Sequence, residues 1–264
     1  MFEIYIGNKN LNTKIISRNL YILYTLAHLK KKAKIRGTFL GYLWWFIEPM
    51  MLIGLYSYVV GVIFGHSGAD QLLMIAVGVT LWKWWSSSMS SATTSFRRYK
   101  GIVSQVKMPL PILPISEVFG ESYMFMFAYL ILQSVLLYLG FVPDIFALVI
   151  SFLISMVAVS ALSLSLAILN VFVRDTAFLV GFGLRILFYI TPIIYPASRV
   201  PENFRFLTDL NPFAHLITYY NNALIYTDRV EYGSMCYALI GSSIGLFVLT
   251  RICKKITPQI IRNV

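Results

Sequence analysis

Apolar residues run along this chain in six long stretches, 44–64, 72–91, 115–139, 145–173, 177–195 and 232–252, each cut off by a short polar, basic or proline-rich interruption. About 20 helical residues cross the hydrocarbon of a bilayer, and every stretch reaches or approaches that length. The pattern predicts an all-α membrane protein with six transmembrane helices in a single domain over 1–264. Outside the stretches, residues 11–36 carry an amphipathic rhythm. Ile15, Ile16, Leu20, Leu23 and Leu26 make an apolar stripe and basic residues take the other face, which predicts a helix lying on the membrane surface.

Two interruptions carry patterns of their own. In 97–114, Pro109, Pro111 and Pro114 forbid a long regular helix and leave room for one or two turns before Pro109. Its basic residues suit a docking element, and an ordinary basic connector fits the same pattern. Segment 196–231 is divided by Pro196, Pro201 and Pro212, yet Phe213, Leu216, Ile217, Tyr220 and Leu224 recur at helical spacing. Short helices here either dip back into the membrane, where protein or a wet cavity must shield the backbone, or lie on the outer surface.

Composition agrees with the pattern. The chain is 58% hydrophobic with a mean hydropathy of +0.72, and 12% of it is charged. Soluble domains carry about 25% charged residues. The net charge of +11 raises nucleic acid as a partner, but the cations lie beside apolar stretches and form no soluble basic face. They crowd the segment before the first stretch, the loop after the second, Arg174 and the C-terminal tail. The opposite loops hold only Arg199, Arg205 and Arg229. Positive charge marks the cytoplasmic side, so both termini are expected in the cytoplasm. Lys30, Lys31, Lys32, Lys34 and Arg36, followed by Tyr42, Trp44, Trp45 and Phe46, read as a cytoplasmic entry into the first span. A lysine cluster instead of a small-residue cleavage site follows the apolar run Tyr21–Leu29, so no cleavable signal is expected. Cys236 and Cys253 would stand about 25 Å apart on one helix, too far to pair, and no metal-ligand spacing occurs.

Charges inside apolar stretches mark a functional site or a buried pair. Glu48 shares a face with Trp45, Leu52 and Tyr56, which is expected to look at a path or partner. Gly54, Ser57, Gly61 and Gly65 share the opposite face, which is expected to pack on a neighbouring helix. Lys83 is followed by Ser86, Ser87, Ser90 and Thr94 on one face, with Trp82 and Trp85 opposite. That stripe suits a hydrated surface; alternatively Lys83 snorkels or pairs with Glu48 and the serines bond their own backbone. Arg185 shares a face with Phe178, Gly181, Phe182, Phe188, Tyr189 and Pro192. An arginine among rings binds a phosphate or stacks, and aromatic faces also stack on sugar rings. The rival reading pairs Arg185 with Glu117 or Glu121.

No G-x-x-x-x-G-K-[ST] phosphate loop is present, so the chain does not bind ATP by that device. Gly65-His66-Ser67-Gly68 fits the short G-x-S-x string of rhomboid proteases. Ser67 falls in a tight outer loop, however, and neither His28 nor His215 falls on a facing span.

Four places resemble the permease subunits of ABC-2-type exporters of bacterial cell-surface polysaccharides, the O-antigen, capsule and teichoic acid exporters. KIRGTFLGYLWWFIEPM (34–50) resembles the entry into the first span, and RRYKGIVSQVKMPLPILPIS (97–116) the cytoplasmic coupling loop. VFVRDTAFLVGF (171–182) holds the Arg-Asp pair between the fourth and fifth spans. TPIIYP (191–196) and LNPFAHLITYYNNAL (210–224) resemble the outer gate region. Two departures stand out: Tyr220-Asn221 where an arginine commonly follows the aromatic, and Arg185 where a neutral polar residue is common.

The resemblance implies an ABC-2 transporter fold in a homodimer in the bacterial inner membrane, with a channel between the copies. Two copies of a separate ATPase subunit would carry ATP and Mg and bind the coupling loop and the interface helix. The substrate would be a glycan or polyol-phosphate chain on undecaprenyl diphosphate, or a lipid or drug in the wider fold family. No cofactor, metal or catalytic residue is expected in this chain. Trp45, Glu48, Tyr56, Lys83, Phe178, Phe182, Arg185, Phe188 and Tyr189 become candidates for the glycan path. Arg97, Arg98, Tyr99, Lys100 and Lys107 become candidates for coupling, and Asn211, Pro212, His215, Tyr219 and Tyr220 for the gate.

Overall fold

A computed structural model of the protein describes residues 18–29, 41–63, 65, 69–101 and 108–264. The basic run 30–36, the start of the amphipathic segment, Ser67 and Lys107 lie outside these, as do the side chains of Tyr42, Trp45 and Phe46. The described residues are helical with connecting turns, and none is in a strand. Residues 18–29 form α1. The six apolar stretches fall on α2 (Trp44–Tyr58), α3 (Ala69–Thr93), α5 (Ile112–Tyr138), α6 (Ile145–Phe172), α7 (Thr176–Ile190) and α10 (Tyr232–Lys255). Shorter helices are α4 (Ser95–Arg98), α8 (Arg205–Asp209), α9 (Pro212–Leu224) and α11 (Thr257–Asn263). By length and composition, α5, α6 and α10 suffice to cross a membrane, whereas Ile47–Ile63 and α7 are apolar but shorter. α3 has the length, at 25 residues, but carries Lys83 and a run of serines.

Helix limits follow local chemistry. α5 begins at Ile112 rather than at 115, because Pro114 falls in the first turn, where backbone N–H groups have no helical partner anyway. α7 ends at Ile190 because Thr191 precedes Pro192. The residue before a proline avoids the helical region, and Thr191 is extended at ψ 134°. α5 closes on Gly140 at φ +90°, with Phe141 N–H donating to the Leu136 carbonyl and Gly140 N–H to that of Leu137, both at 3.0 Å. This six-to-one cap needs a left-handed residue. Gly140→Val is expected to lower stability by about 1–2 kcal/mol, read as an earlier melt of the detergent-solubilised protein.

α3 and α6 are the central pillars. α3 packs on α2, α5, α6, α7 and α9, and α6 also holds α10. Trp84 of α3 is stacked between Phe125 of α5 (4.4 Å, 14°) and Phe152 of α6 (5.4 Å, 15°). Its indole N–H donates to Ser122 Oγ at 3.0 Å, so the buried donor is satisfied. Arg97, Arg98, Arg174, Lys254 and Lys255 gather at one end, here termed the basic end. At the far end, Asp144 caps α6 by accepting from Ala147 N–H at 3.0 Å and takes the Tyr232 hydroxyl as well. The Ala147 amide first, and then Tyr232, hold the Asp144 carboxyl below its ordinary range.

α9 does not lie loose on the surface. Asn211 caps its start, accepting from Phe213 N–H at 3.0 Å and donating to Thr191 Oγ1 at 2.8 Å, so the end of α7 and the start of α9 meet. Phe213 packs 5.5 Å from the rings of both Trp82 and Trp85. Trp85 stands about 24 Å along α3 from its far end. The Ala223 carbonyl, near the other end of α9, accepts from Asp144 N–H at 2.8 Å. α9 therefore runs from the middle of the bundle to the far end. Its apolar face is buried on α3 and α6, while Pro212, His215 and Thr218 are exposed.

Candidate functional site

The heptad-like spacing of Val79, Lys83, Ser86, Ser87, Ser90 and Ser91 turns one face of α3 toward α7. Between them, with α2 closing one side, is a cleft of about 570 Å³. α2 contributes Leu52 and Tyr56, α5 contributes Glu121, and α7 contributes Gly181, Leu184, Arg185, Phe188 and Tyr189. Phe188 is the hub of its aromatic wall. It lies 5.1 Å from Tyr56, 5.9 Å from Trp82 and 5.2 Å from Tyr189, at angles from 38° to 82°.

Lys83 pairs with Glu48 across α2 and α3, as the pairing reading anticipated, and the two side chains are 35% and 50% exposed. The serine stripe combines features of both readings. The stripe lines the cleft, and Ser86 Oγ also donates to the Trp82 carbonyl at 2.7 Å. Thr94 turns away to accept from Arg98. Arg185 is exposed and makes no ion pair among the described residues. The two carboxylates suggested for it are engaged elsewhere: Glu117 by Arg98 and Tyr99, and Glu121 by Ser91.

Lys83, Ser87 and Glu121 also border a smaller chamber of about 170 Å³ with Trp44, Glu48 and Trp84. The Lys83–Glu48 pair thus stands in the wall between two spaces. Beyond Pro49, Thr80 and Ala128 the chamber gives onto an apolar groove of about 460 Å³ along α2. This groove corrects one expectation. Among the described residues, no heavy atom lies within 4 Å of where a Cβ of Gly54, Gly61 or Gly65 would stand, so the glycine face of α2 packs closely on no described helix. α2 packs on the core through Leu52, Ile53 and Tyr56 instead, the Tyr56 ring meeting Phe188 of α7, and Gly54 borders the open groove.

The remaining candidates are scattered. Phe178 and Phe182 stand on the exposed side of α7 at 83% and 64% exposure, outside the cleft lining. Lys100 is exposed near the basic end. Arg97, Arg98 and Tyr99 turn inward onto α5 and α6. In the gate segment, Asn211 is a buried cap, Pro212 is the first residue of α9, and Tyr219 is half-buried. Tyr220 is buried in the core, 6.5 Å from Trp85 and 6.4 Å from Tyr129. His215 Nε2 bonds the Asp209 carbonyl at 2.8 Å, and the ring of His28 stacks on Tyr24. Trp82, Ser91 and Glu121 are cleft residues that sequence reasoning did not select. Glu117 and Glu121 carried a signal, being the only charges within 112–138.

The fold and the cleft define a helical membrane protein with a polar, aromatic-walled cleft between its helices. The sequence profile described as ABC-2 type transporter matches residues 23–224, and the chain belongs to that family. It is similar to the O-antigen export system permease protein RfbA of Myxococcus xanthus, 28% identical over 239 residues, covering 87% of this chain and 91% of the relative. Two Klebsiella pneumoniae proteins with the same name are 23% and 24% identical over 237 and 241 residues, each covering 88% of this chain and 92% of the relative.

Proposed function

We propose that this protein is the permease subunit of an ATP-driven exporter that moves a lipid-linked polysaccharide of the O-antigen class out across the bacterial inner membrane. The observation that carries the reading is the cleft between α2, α3 and α7, where the Tyr56–Phe188–Trp82–Tyr189 wall faces a serine stripe and Arg185 is exposed, with no ion pair among the described residues. Rings offer apolar faces to sugars without holding a moving polymer by many hydrogen bonds. An unengaged guanidinium receives a phosphate group through paired donors. The names of the similar proteins supply the substrate class.

In this reading α2, α3, α5, α6, α7 and α10 are the six spans, and α9 re-enters the membrane from the far side under the cover of α3 and α6. The basic end, with both termini, faces the cytoplasm. Two copies assemble around the path, and ATP with Mg is hydrolysed on two separate ATPase subunits that meet the basic loop. Surface polysaccharide is expected to disappear, and lipid-linked precursor to accumulate inside, when the ATPase partner is made catalytically inactive with this protein intact. Export that persists in such cells overturns the ATP-driven reading. A deletion strain that keeps its surface polysaccharide overturns the substrate.

A further inference from the structure

Within α5 the two carboxylates stand one turn apart, Glu117 at 1% exposure and Glu121 at 5%. A buried carboxylate persists only with partners, and the loop below Glu117 supplies two of them. Its Oε1 accepts from Arg98 Nη1 at 3.2 Å and from the Tyr99 hydroxyl at 2.9 Å. Arg98 Nη2 donates to Thr94 Oγ1 at 2.8 Å, which ties the same side chain to the end of α3. Arg97 reaches the other way and donates to the Val171 carbonyl at 3.2 Å. That carbonyl is in the last turn of α6, where acceptors lack helical partners and a cation is favoured. Burial, and next the charge of Glu117, push the Tyr99 hydroxyl up to about 12, so it remains a donor at neutral pH. The short α4 and Tyr99 are therefore bolted to α3, α5 and α6 together.

One turn along α5, about 6 Å by the helix rise, Glu121 lines the cleft with Lys83 and Arg185 and accepts from Ser91 Oγ at 3.4 Å. A helix carries a displacement from one turn to the next. We infer that Glu117 is the positioning residue through which movement of the basic loop reaches the cleft. A push on α4 moves Arg98 and Tyr99, Glu117 follows them, and Glu121 shifts against Ser91 at the cleft wall. This inference rests on the exporter reading, because it gives the loop a motor to answer to. It assigns Arg97, Arg98 and Tyr99 to grip within the chain; an exposed neighbour such as Lys100 is free for a partner subunit to touch.

The test uses the complete complex of this protein and its ATPase in vesicles of phosphatidylethanolamine and phosphatidylglycerol. Polymer export and ATP turnover are measured on the same sample. Glu117→Gln keeps the shape and an acceptor for Tyr99 but removes the charge that holds Arg98. Polymer exported per ATP is expected to fall at least about fivefold, the lower range of a typical coupling between sites. Tyr99→Phe removes a single hydrogen bond and is expected to lower the same ratio by a smaller factor; it decides the matter if Glu117→Gln does not assemble. An unchanged ratio in the assembled variants overturns the inference, as does a parallel fall of export and ATP turnover, which is the behaviour of a static brace. If the wild-type complex shows no ATP-dependent export, the exporter reading fails instead.

Discussion

Arg185→Ala is expected to lower export about tenfold or more while the amount of assembled protein stays at the wild-type level. The asymmetry follows from its surroundings. Arg185 makes no ion pair among the described residues, so its removal leaves no buried partner behind. Its neighbours in the cleft, Leu184 and Phe188, are held by packing. A hydrogen bond to a charged group contributes about 1.5–3 kcal/mol, and each 1.4 kcal/mol is about tenfold in an equilibrium. Loss of a guanidinium that meets a phosphate therefore reads as a loss of about ten- to a hundredfold. Arg185→Lys keeps the charge but not the paired, planar donors, and is expected to fall between the two. Export and membrane protein level, measured in the same cells, decide it. Normal export at normal level removes Arg185 from the path.

Lys83→Met contrasts with this. Its partner Glu48 stays behind, half exposed and without the cation, so the defect falls on assembly as well as on transport. The two charges look alike in the sequence, each a lone cation in an apolar stretch, and only their partners separate them.

What the sequence disclosed and what it hid divide along physical lines. The Lys83–Glu48 pair was legible because Glu48 is the only acidic residue inside the first stretch and Lys83 the only basic one inside the second. Helical periodicity placed Tyr56, Lys83 and the Arg185–Phe188–Tyr189 group on faces of three separate helices without knowing which faces meet; the family resemblance grouped them, and the structure puts all five around one cleft. The early end of α7 was also written in the chain, at Pro192, but hydropathy continues to Tyr195 and masked it. The fate of the glycine face of α2 was not legible. Small residues permit close approach and do not compel it, and here Leu52, Ile53 and Tyr56 on the neighbouring face take the contact with the rest of the bundle. The inward turn of Arg98 and Tyr99 was hidden for a different reason. A basic loop reads as a docking surface unless a buried carboxylate waits for it, and Glu117 is nineteen residues from Arg98 with three prolines between.

Gly78→Leu is expected to destabilise the bundle severely. Gly78 is on α3 where the chain leaving α7 crosses it. A Cβ there would stand 3.0 Å from Ile193 Cγ2 and 3.4 Å from Ile193 Cα. Ile193 is 1% exposed, and its N–H donates to the Thr191 carbonyl at 2.7 Å, so its backbone has little room to retreat. For alanine, overpacking of about 1–3 kcal/mol is partly offset by about 1 kcal/mol of helix propensity gained over glycine. For leucine the added branch meets backbone, and a loss of about 3 kcal/mol or more is expected. The damage reaches the cleft because this crossing sets the register of α7 on α3, and with it the distance from Arg185 and Phe188 to Lys83 and Trp82. Ile193→Ala removes Cγ2 and is expected to suppress much of the Gly78→Ala defect but little of the Gly78→Leu defect. Melting of the solubilised single and double variants measures the coupling between the two sites. Additive effects would mean that Gly78 and Ile193 do not touch; a coupling of about 0.5–3 kcal/mol is the expected result for residues in contact.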